Sequence, residues 1–133
     1  MAFVYTDENK EDISDYLEEC SPLLDNIVES MFMMQAGDES AVNNALRSFH
    51  TIKSNSGIIE LEEIVDLCHI CEDLFTSVRD GDIEVDKDFN KYIMMAIESI
   101  QDTFGRLSHE NEIIPVPSQL FFNLAEYIET HKK

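Results

Sequence analysis

The stretch "AVNNALRSFHTIKSNSGIIELEEIVDLCHICEDLFTSVRDG", residues 41–81, decides how this chain folds. Val42, Ala45, Leu46, Phe49 and Ile52 recur at spacings of three and four, the signature of a helix with one apolar face. "SNSG" ends that helix near Gly57, and a second apolar stripe follows: Leu61, Ile64, Cys68, Cys71, Phe75 and Val78, stopped by Asp80-Gly81. Beside each stripe runs a polar file. His50 and Lys53 flank the first, three residues apart and so on one helix face. Val65, His69, Glu72 and Thr76 flank the second. His69 and Glu72 lie nineteen and twenty-two residues beyond His50. At about 3.6 residues per turn, an antiparallel partner helix can bring them level with it. A histidine can then react at one ring nitrogen while a carboxylate holds the other, with a cation alongside. His50 is expected at the edge of the core and partly exposed.

Outward from this segment the chain reads as helix throughout. Upstream, Ile13, Tyr16, Leu17, Cys20, Leu24, Ile27, Val28 and Met31 keep helical phase, with Thr6 or Asp7 able to cap the start. Pro22 leaves two arrangements open: a second helix beginning at Ser21-Pro22, or one long kinked helix. "QAGDES" is a turn, and Asp38 or Ser40 caps the next helix. Downstream, Phe89, Tyr92, Ile93, Ala96, Ile97, Ile100, Phe104 and Leu107 form the inward face of a helix after Asp86. Pro115 and Pro117 mark a linker, and Ser118 caps a final helix carrying Leu120, Phe121, Leu124, Ala125 and Ile128 inward. No segment shows sustained strand alternation. The expected fold is all-α, an antiparallel up-and-down bundle of four helices over residues 1–108, a linker at 109–117, and an additional C-terminal helix at 118–133.

Composition narrows function. The 133 residues suit one domain with a real core. Twenty-eight Asp and Glu against nine Lys and Arg give a formal charge of −19. Nucleic acid and anionic membrane surfaces are therefore poor partners, because both require a basic face. A basic patch on a protein partner would be steered in quickly. A 44% hydrophobic content argues against disorder. No apolar run approaches the ~18 residues of a membrane span, and the N-terminal residues show no basic, apolar leader, so a cytoplasmic location is expected.

Cys20, Cys68 and Cys71 do not form a disulfide framework, being odd in number. The C-x-x-C of Cys68 and Cys71 lies on an apolar stripe and lacks a full set of zinc ligands, so it reads as core thiols; no metal and no cofactor are expected. Met31, Met33, Met34, Met94 and Met95 read as packing, with "MFMM" at 31–34 the alternative contact patch. The acidic runs Asp7–Asp15 and Asp80–Asp88 read as solvated faces and helix N-terminal charge.

The segments "YLEECSPLLDNIVESMF", "LRSFHTIKSNSG" and "LCHICEDLFTSVRDG" resemble histidine phosphotransfer (Hpt) domains, above all the N-terminal phosphotransfer domains of CheA-type chemotaxis kinases. The resemblance covers most of the chain. It implies that His50 is the phosphorylated residue, Glu72 the acceptor of its other ring N–H, Lys53 the offset to phosphoryl charge, and His69 a further polar contact. It also implies docking of partners around Arg47, Ser54 and Gly57. The partners implied are the ATP-binding domain of a histidine kinase, in the same or another chain, and a response-regulator receiver domain. The chain shows no glycine-rich nucleotide loop, so it reads as a phosphocarrier and not a complete kinase, whether the first domain of a longer kinase or freestanding. Two positions depart from the family pattern: Ser54 and Glu60 stand where glycine is usual. A left-handed turn would be strained at Glu60. The competing readings are a degenerate bundle that binds a receiver or kinase without turnover and, further off, a metal-binding bundle using the three cysteines and a histidine.

Overall fold

The computed structural model describes residues 3–132. Five helices follow in order: α1 Lys10–Gln35, α2 Ala41–Ile58, α3 Glu62–Arg79, α4 Lys87–Ser108 and α5 Ser118–His131. No strand occurs among the described residues, in line with the all-α expectation. Short turns force antiparallel neighbours, and the side chains show it. Tyr16, early in α1, hydrogen-bonds through its hydroxyl with Ser56 Oγ, late in α2, at 2.7 Å. The same Tyr16 ring meets Phe104, late in α4, edge-on at 5.3 Å. Phe75 of α3 lies between Phe49 of α2 and Phe89 of α4, with ring centroids 5.4 and 5.2 Å away. The core between the helices is apolar and continuous, and its largest side chains are fully enclosed. Burial of this kind, worth about 25 cal/mol per Å² of apolar surface, supplies most of the driving force.

Pro22 does not divide α1. One helix runs through it, with Pro22 on the exposed side, where the missing N–H and the ring disturb solvated backbone and not the core. Asn9, not Thr6 or Asp7, takes the N-cap position of α1, without a side-chain cap bond into the helix. Thr6 N–H donates to Asn9 Oδ1 and Asn9 N–H donates to Thr6 Oγ1, a reciprocal pair that satisfies two amides at once. Ser40 takes the N-cap position of α2 without a side-chain cap bond, its hydroxyl and amide both donating to Asp38 Oδ1. Pro117, not Ser118, precedes α5, whose first helical residue is Ser118.

Four helices end in the same way. A residue with positive φ turns the chain, and the amide of the following residue reaches back to the carbonyl five positions earlier: Asp38 to Met33, Leu61 to Ser56, Asp82 to Ser77 and Asn111 to Arg106. Gly37 and Gly81 serve two of these turns, whereas Glu60, with φ 64°, and Glu110, with φ 54°, serve the others. Glu60 therefore adopts the left-handed turn despite its Cβ. Glu60→Gly is expected to raise unfolding free energy by roughly 0.5–1 kcal/mol, relief of strain outweighing the freedom glycine adds to the unfolded chain. Urea denaturation of the two proteins checks this; an unchanged or lower midpoint would show that the turn carries no strain.

The last helix packs on α3 and α4 through an unforeseen anchor. Tyr127 is buried and its hydroxyl donates to Asp86 Oδ1 at 2.7 Å, while Ala125, expected inward, is exposed. Asp86 also caps α4, accepting the Phe89 N–H at 2.8 Å. The Phe89 amide holds the Asp86 carboxyl below its ordinary range, opposed by burial and helped by the Tyr127 hydroxyl and the nearby His131. A carboxyl lowered by folding stabilises the fold above its unfolded pKa and loses that contribution as pH falls through the folded value. Asp86→Ala is expected to cost about 1–2 kcal/mol at neutral pH. The gap to wild type should shrink as pH drops below about 4. Denaturation midpoints across pH measure both; a gap independent of pH would refute the ionic part.

Candidate functional site

α2 and α3 present the polar files expected of them. His50 is 64% exposed, whereas Glu72 opposite it is only 18% exposed and Lys53 23%. His50 Nδ1 lies 3.6 Å from Glu72 Oε2. That is just beyond a direct hydrogen bond, and a small side-chain rotation closes it. Lys53 Nζ approaches Glu72 Oε1 to 2.9 Å as an ion pair outside hydrogen-bond geometry, so this buried oxygen has its charge matched but no directional donor. Glu72 is thus the hub, with one oxygen toward the histidine and one toward the lysine. Among the described residues His50 Nε2 has no hydrogen-bond or ion-pair partner.

The core explains the placement. Phe49 is fully buried beside His50, and Cys68, Cys71 and Phe75 are fully buried around Glu72. Packing of those stripes fixes the rotation of both helices, and the polar files follow. His69 is placed differently from His50's other neighbours. It is 64% exposed, its Nε2 lies 3.7 Å from Asp73 Oδ2 one turn along α3, and among the described residues no hydrogen bond or ion pair joins it to His50. Asp73 had no signal in the sequence beyond its i,i+4 spacing from His69.

Arg47, His50, Ser54 and Gly57 are all exposed and follow one another at spacings of three and four, an unbroken stripe along α2 that ends at Ile58, itself 77% exposed. A Cβ on Gly57 would meet only Val65 Cγ2 at 3.9 Å, so nothing inside the fold demands glycine there. Phe32 and Met33 are exposed at the far end of α1, and Met94 and Met95 on α4, while Met31 is buried; the methionines divide between core and surface.

The three cysteines are buried and unpaired. Burial, first among the causes, pushes all three thiols upward, Cys68 further through Glu72 and Cys71 through Cys68. Protonated and enclosed, they are inert packing groups. Among the described residues no group of His, Cys, Asp and Glu is placed to hold a metal ion, and no helix is long and apolar enough to cross a membrane.

The model of the Hpt domain family matches residues 13–108, most of the chain. The chain belongs to the Hpt domain family. Two similar proteins are the chemotaxis protein CheA of Borreliella burgdorferi, 26% identical over 97 residues, and that of Halobacterium salinarum, 37% identical over 77 residues. These alignments cover 71% and 58% of this Hpt domain but only 11% and 12% of the two relatives. The chain therefore spans about a tenth of the length of the curated relatives it matches. Among solved structures, the phosphorylated P1 domain of CheA3 in complex with CheY6 from R. sphaeroides superimposes with a TM-score of 0.79 at 24% identity. That match covers 92% of this Hpt domain and 99% of the other chain, and shows the same helical fold.

One consequence for the site is measurable. Because Glu72 is a hub and not part of the apolar stripe, Glu72→Gln is expected, on the proposal below that His50 accepts a phosphoryl group, to slow labelling by about tenfold to a hundredfold. It should change stability by less than about 1 kcal/mol, the usual scale for a partly exposed ion pair. Initial labelling rates and urea midpoints measured on one preparation separate the two effects. An unchanged rate would remove Glu72 from the chemistry, and a loss of several kcal/mol would make it structural.

Proposed function

We propose that this Hpt domain is a phosphorelay intermediate of chemotaxis-like two-component signalling. His50 takes a phosphoryl group from ATP bound to a CheA-type kinase domain and passes it to a response-regulator aspartate. The observation that carries the reading is the asymmetry of His50: Nδ1 faces the half-buried Glu72 at 3.6 Å, while Nε2 is open on an exposed ring. With Nδ1–H donated to Glu72, the Nε2 lone pair is the nucleophile. It forms the N–P bond as the bond from the γ-phosphorus to the bridging oxygen breaks, and ADP leaves with that electron pair. Positive charge that grows on the ring is offset by Glu72. In the second step a receiver carboxylate oxygen attacks phosphorus, and the N–P electron pair returns to Nε2. Positioning and electrostatics do most of this work. Lys53, one turn along α2, brings a cation to the dianionic phosphoryl group while its pairing with Glu72 keeps it in place. His69 adds a polar contact at the rim.

Arg47, Ser54 and Gly57 form the docking face around His50. The bare Gly57 lets a partner backbone approach, and Ser54 adds a hydroxymethyl group where the family usually has none. The ATP-binding domain and the receiver would engage this face in turn, in the cytoplasm where ATP is available. The metal, cofactor and nucleic-acid classes play no part in this reading.

The test is direct. The chain is incubated with a CheA-type kinase domain and radiolabelled ATP, then with receiver domains. Acid-labile, alkali-stable label on the chain, followed by its loss as a receiver gains label, is the expected result. Receiver binding without any labelling would establish instead a non-catalytic interaction module.

A further inference from the structure

We propose that a cavity at the end of the bundle, formed beneath the strap that follows α4 and apart from His50, binds a small organic cation with an apolar body. The cavity measures about 590 Å³. Its walls come from four places distant in sequence: residues 3–5, the turn between α2 and α3 with the first turn of α3, Thr103 of α4, and the strap 110–116 that follows α4. The strap is held in place, since Glu63 accepts the Val116 N–H and the Tyr5 hydroxyl is within hydrogen-bond reach of the Asn111 and Arg106 carbonyls. Leu61, Ile64 and Val116, all buried, give an apolar interior. The size and lining suit a ligand of ordinary small-molecule dimensions.

The charge of the lining selects the ligand. Five carboxylates border the cavity and no cationic side chain does. Glu63 is engaged with Val116, and Glu110 with Lys10 at 3.3 Å. Among the described residues the carboxylates of Glu60, Glu62 and Glu112 have no partner, the Arg106 guanidinium reaching Glu112 only at its backbone carbonyl, 3.1 Å away. Unopposed carboxylates around a concave apolar wall focus a negative potential into it. An anion is repelled, and a neutral body gains only from burial. The carboxylates are not grouped to chelate a metal ion. The positive charge must therefore ride on a larger body that fills the apolar space, as in an arylalkylamine. Both left-handed glutamates of the fold, Glu60 and Glu110, belong to this lining. Glycine at either turn would be more relaxed but would leave the cavity a carboxylate short.

The experiment titrates the whole chain with naphthylethylamine, its neutral alcohol analogue and its carboxylic acid analogue, following backbone amide shifts by NMR. Saturable shifts at Leu61, Ile64 and Val116 are expected with the amine. Its affinity should exceed that of the alcohol by about tenfold at low salt, and the gap should narrow as salt is added. The acid should not bind. Replacing Glu60 and Glu112 together by Gln, both exposed and remote from the core, should weaken the amine by about tenfold and leave the alcohol unchanged. Equal affinity for amine and alcohol, shifts confined to other surfaces, no saturation at millimolar amine, or binding of a lysine-rich peptide in place of the amine would each overturn the proposal. None of these outcomes depends on whether His50 is phosphorylated.

Discussion

Replacing His50 by Gln is expected to abolish acid-labile phosphorylation by a competent kinase while leaving the fold intact. The imidazole is 64% exposed and its loss removes no buried contact, so stability should move by no more than about 0.5 kcal/mol. The amide of Gln has no comparable lone pair at Nε2, so the N–P bond cannot form there. The remaining histidines do not substitute. His109 Nδ1 sits 2.9 Å from the Gly105 carbonyl and His131 Nδ1 3.0 Å from that of Tyr127, so each is held by a neutral carbonyl and not by a carboxylate that offsets charge growing on the ring, and His131 Nε2 faces Asp86 at 3.9 Å. Neither has a lysine–carboxylate pair beside it. His69 faces Asp73 and lacks the buried hub that Glu72 provides. His69→Gln should therefore keep its label, and His50→Gln should show only background, with identical circular dichroism for both. Full labelling of the His50 variant would move the site elsewhere.

The largest loss of stability is expected at Phe75. Its side chain is fully enclosed on α3 and touches the rings of Phe49 and Phe89, so it ties together three helices. Phe75→Ala removes the apolar surface and leaves a cavity that neighbouring aromatic rings cannot fill by small shifts. A cost of about 3–5 kcal/mol follows. Against a total of roughly 5–15 kcal/mol for a domain of this kind, that is a large share of the whole. Phe75→Leu should lose much less, since most of the volume remains. Urea midpoints measured with unchanged m-values decide it. A cost below about 1 kcal/mol for the alanine variant would mean that the three-ring stack does not carry the core. The site would suffer too, because Phe49 adjoins His50 and Phe75 lies one turn from Glu72.

How far the sequence could be read depended on the range of the physics involved. Apolar periodicity is local, and it located α1 to α4 and their inward faces because burial demands it wherever the helix lies. The Gly37 and Gly81 turns were legible for the same reason. At Glu60 the sequence shows only a departure from the usual glycine; the left-handed turn it nonetheless adopts is a property of the folded chain. Glu110 gave no sign at all. Thr6 and Asp7 were the cap candidates; α1 begins later, with Asn9 at the N-cap position and Thr6 bonded to it reciprocally. In α5 Ala125 does not face inward as its spacing suggests, because a short helix has several plausible faces. The hydroxyl of Tyr127, needing a partner when buried, found Asp86 and set the rotation.

By itself the sequence determined that the chain is helical, that its helices are amphipathic, and that His50 and Lys53 share a face while His69 and Glu72 share another. Those are consequences of a repeat of about 3.6 residues and of which side chains avoid water. Only the tertiary structure decided which of them meet. Whether Glu72 or His69 faces His50 depends on the crossing and rotation of α2 against α3, which the interlocking of Phe49, Cys68, Cys71 and Phe75 sets to within a fraction of a turn. The result is Glu72 between His50 and Lys53 and His69 beside Asp73. The cavity at the bundle's end is likewise a tertiary product, because its walls are separated by as much as a hundred residues along the chain. No local pattern encodes a distance of that kind; close packing of the whole does.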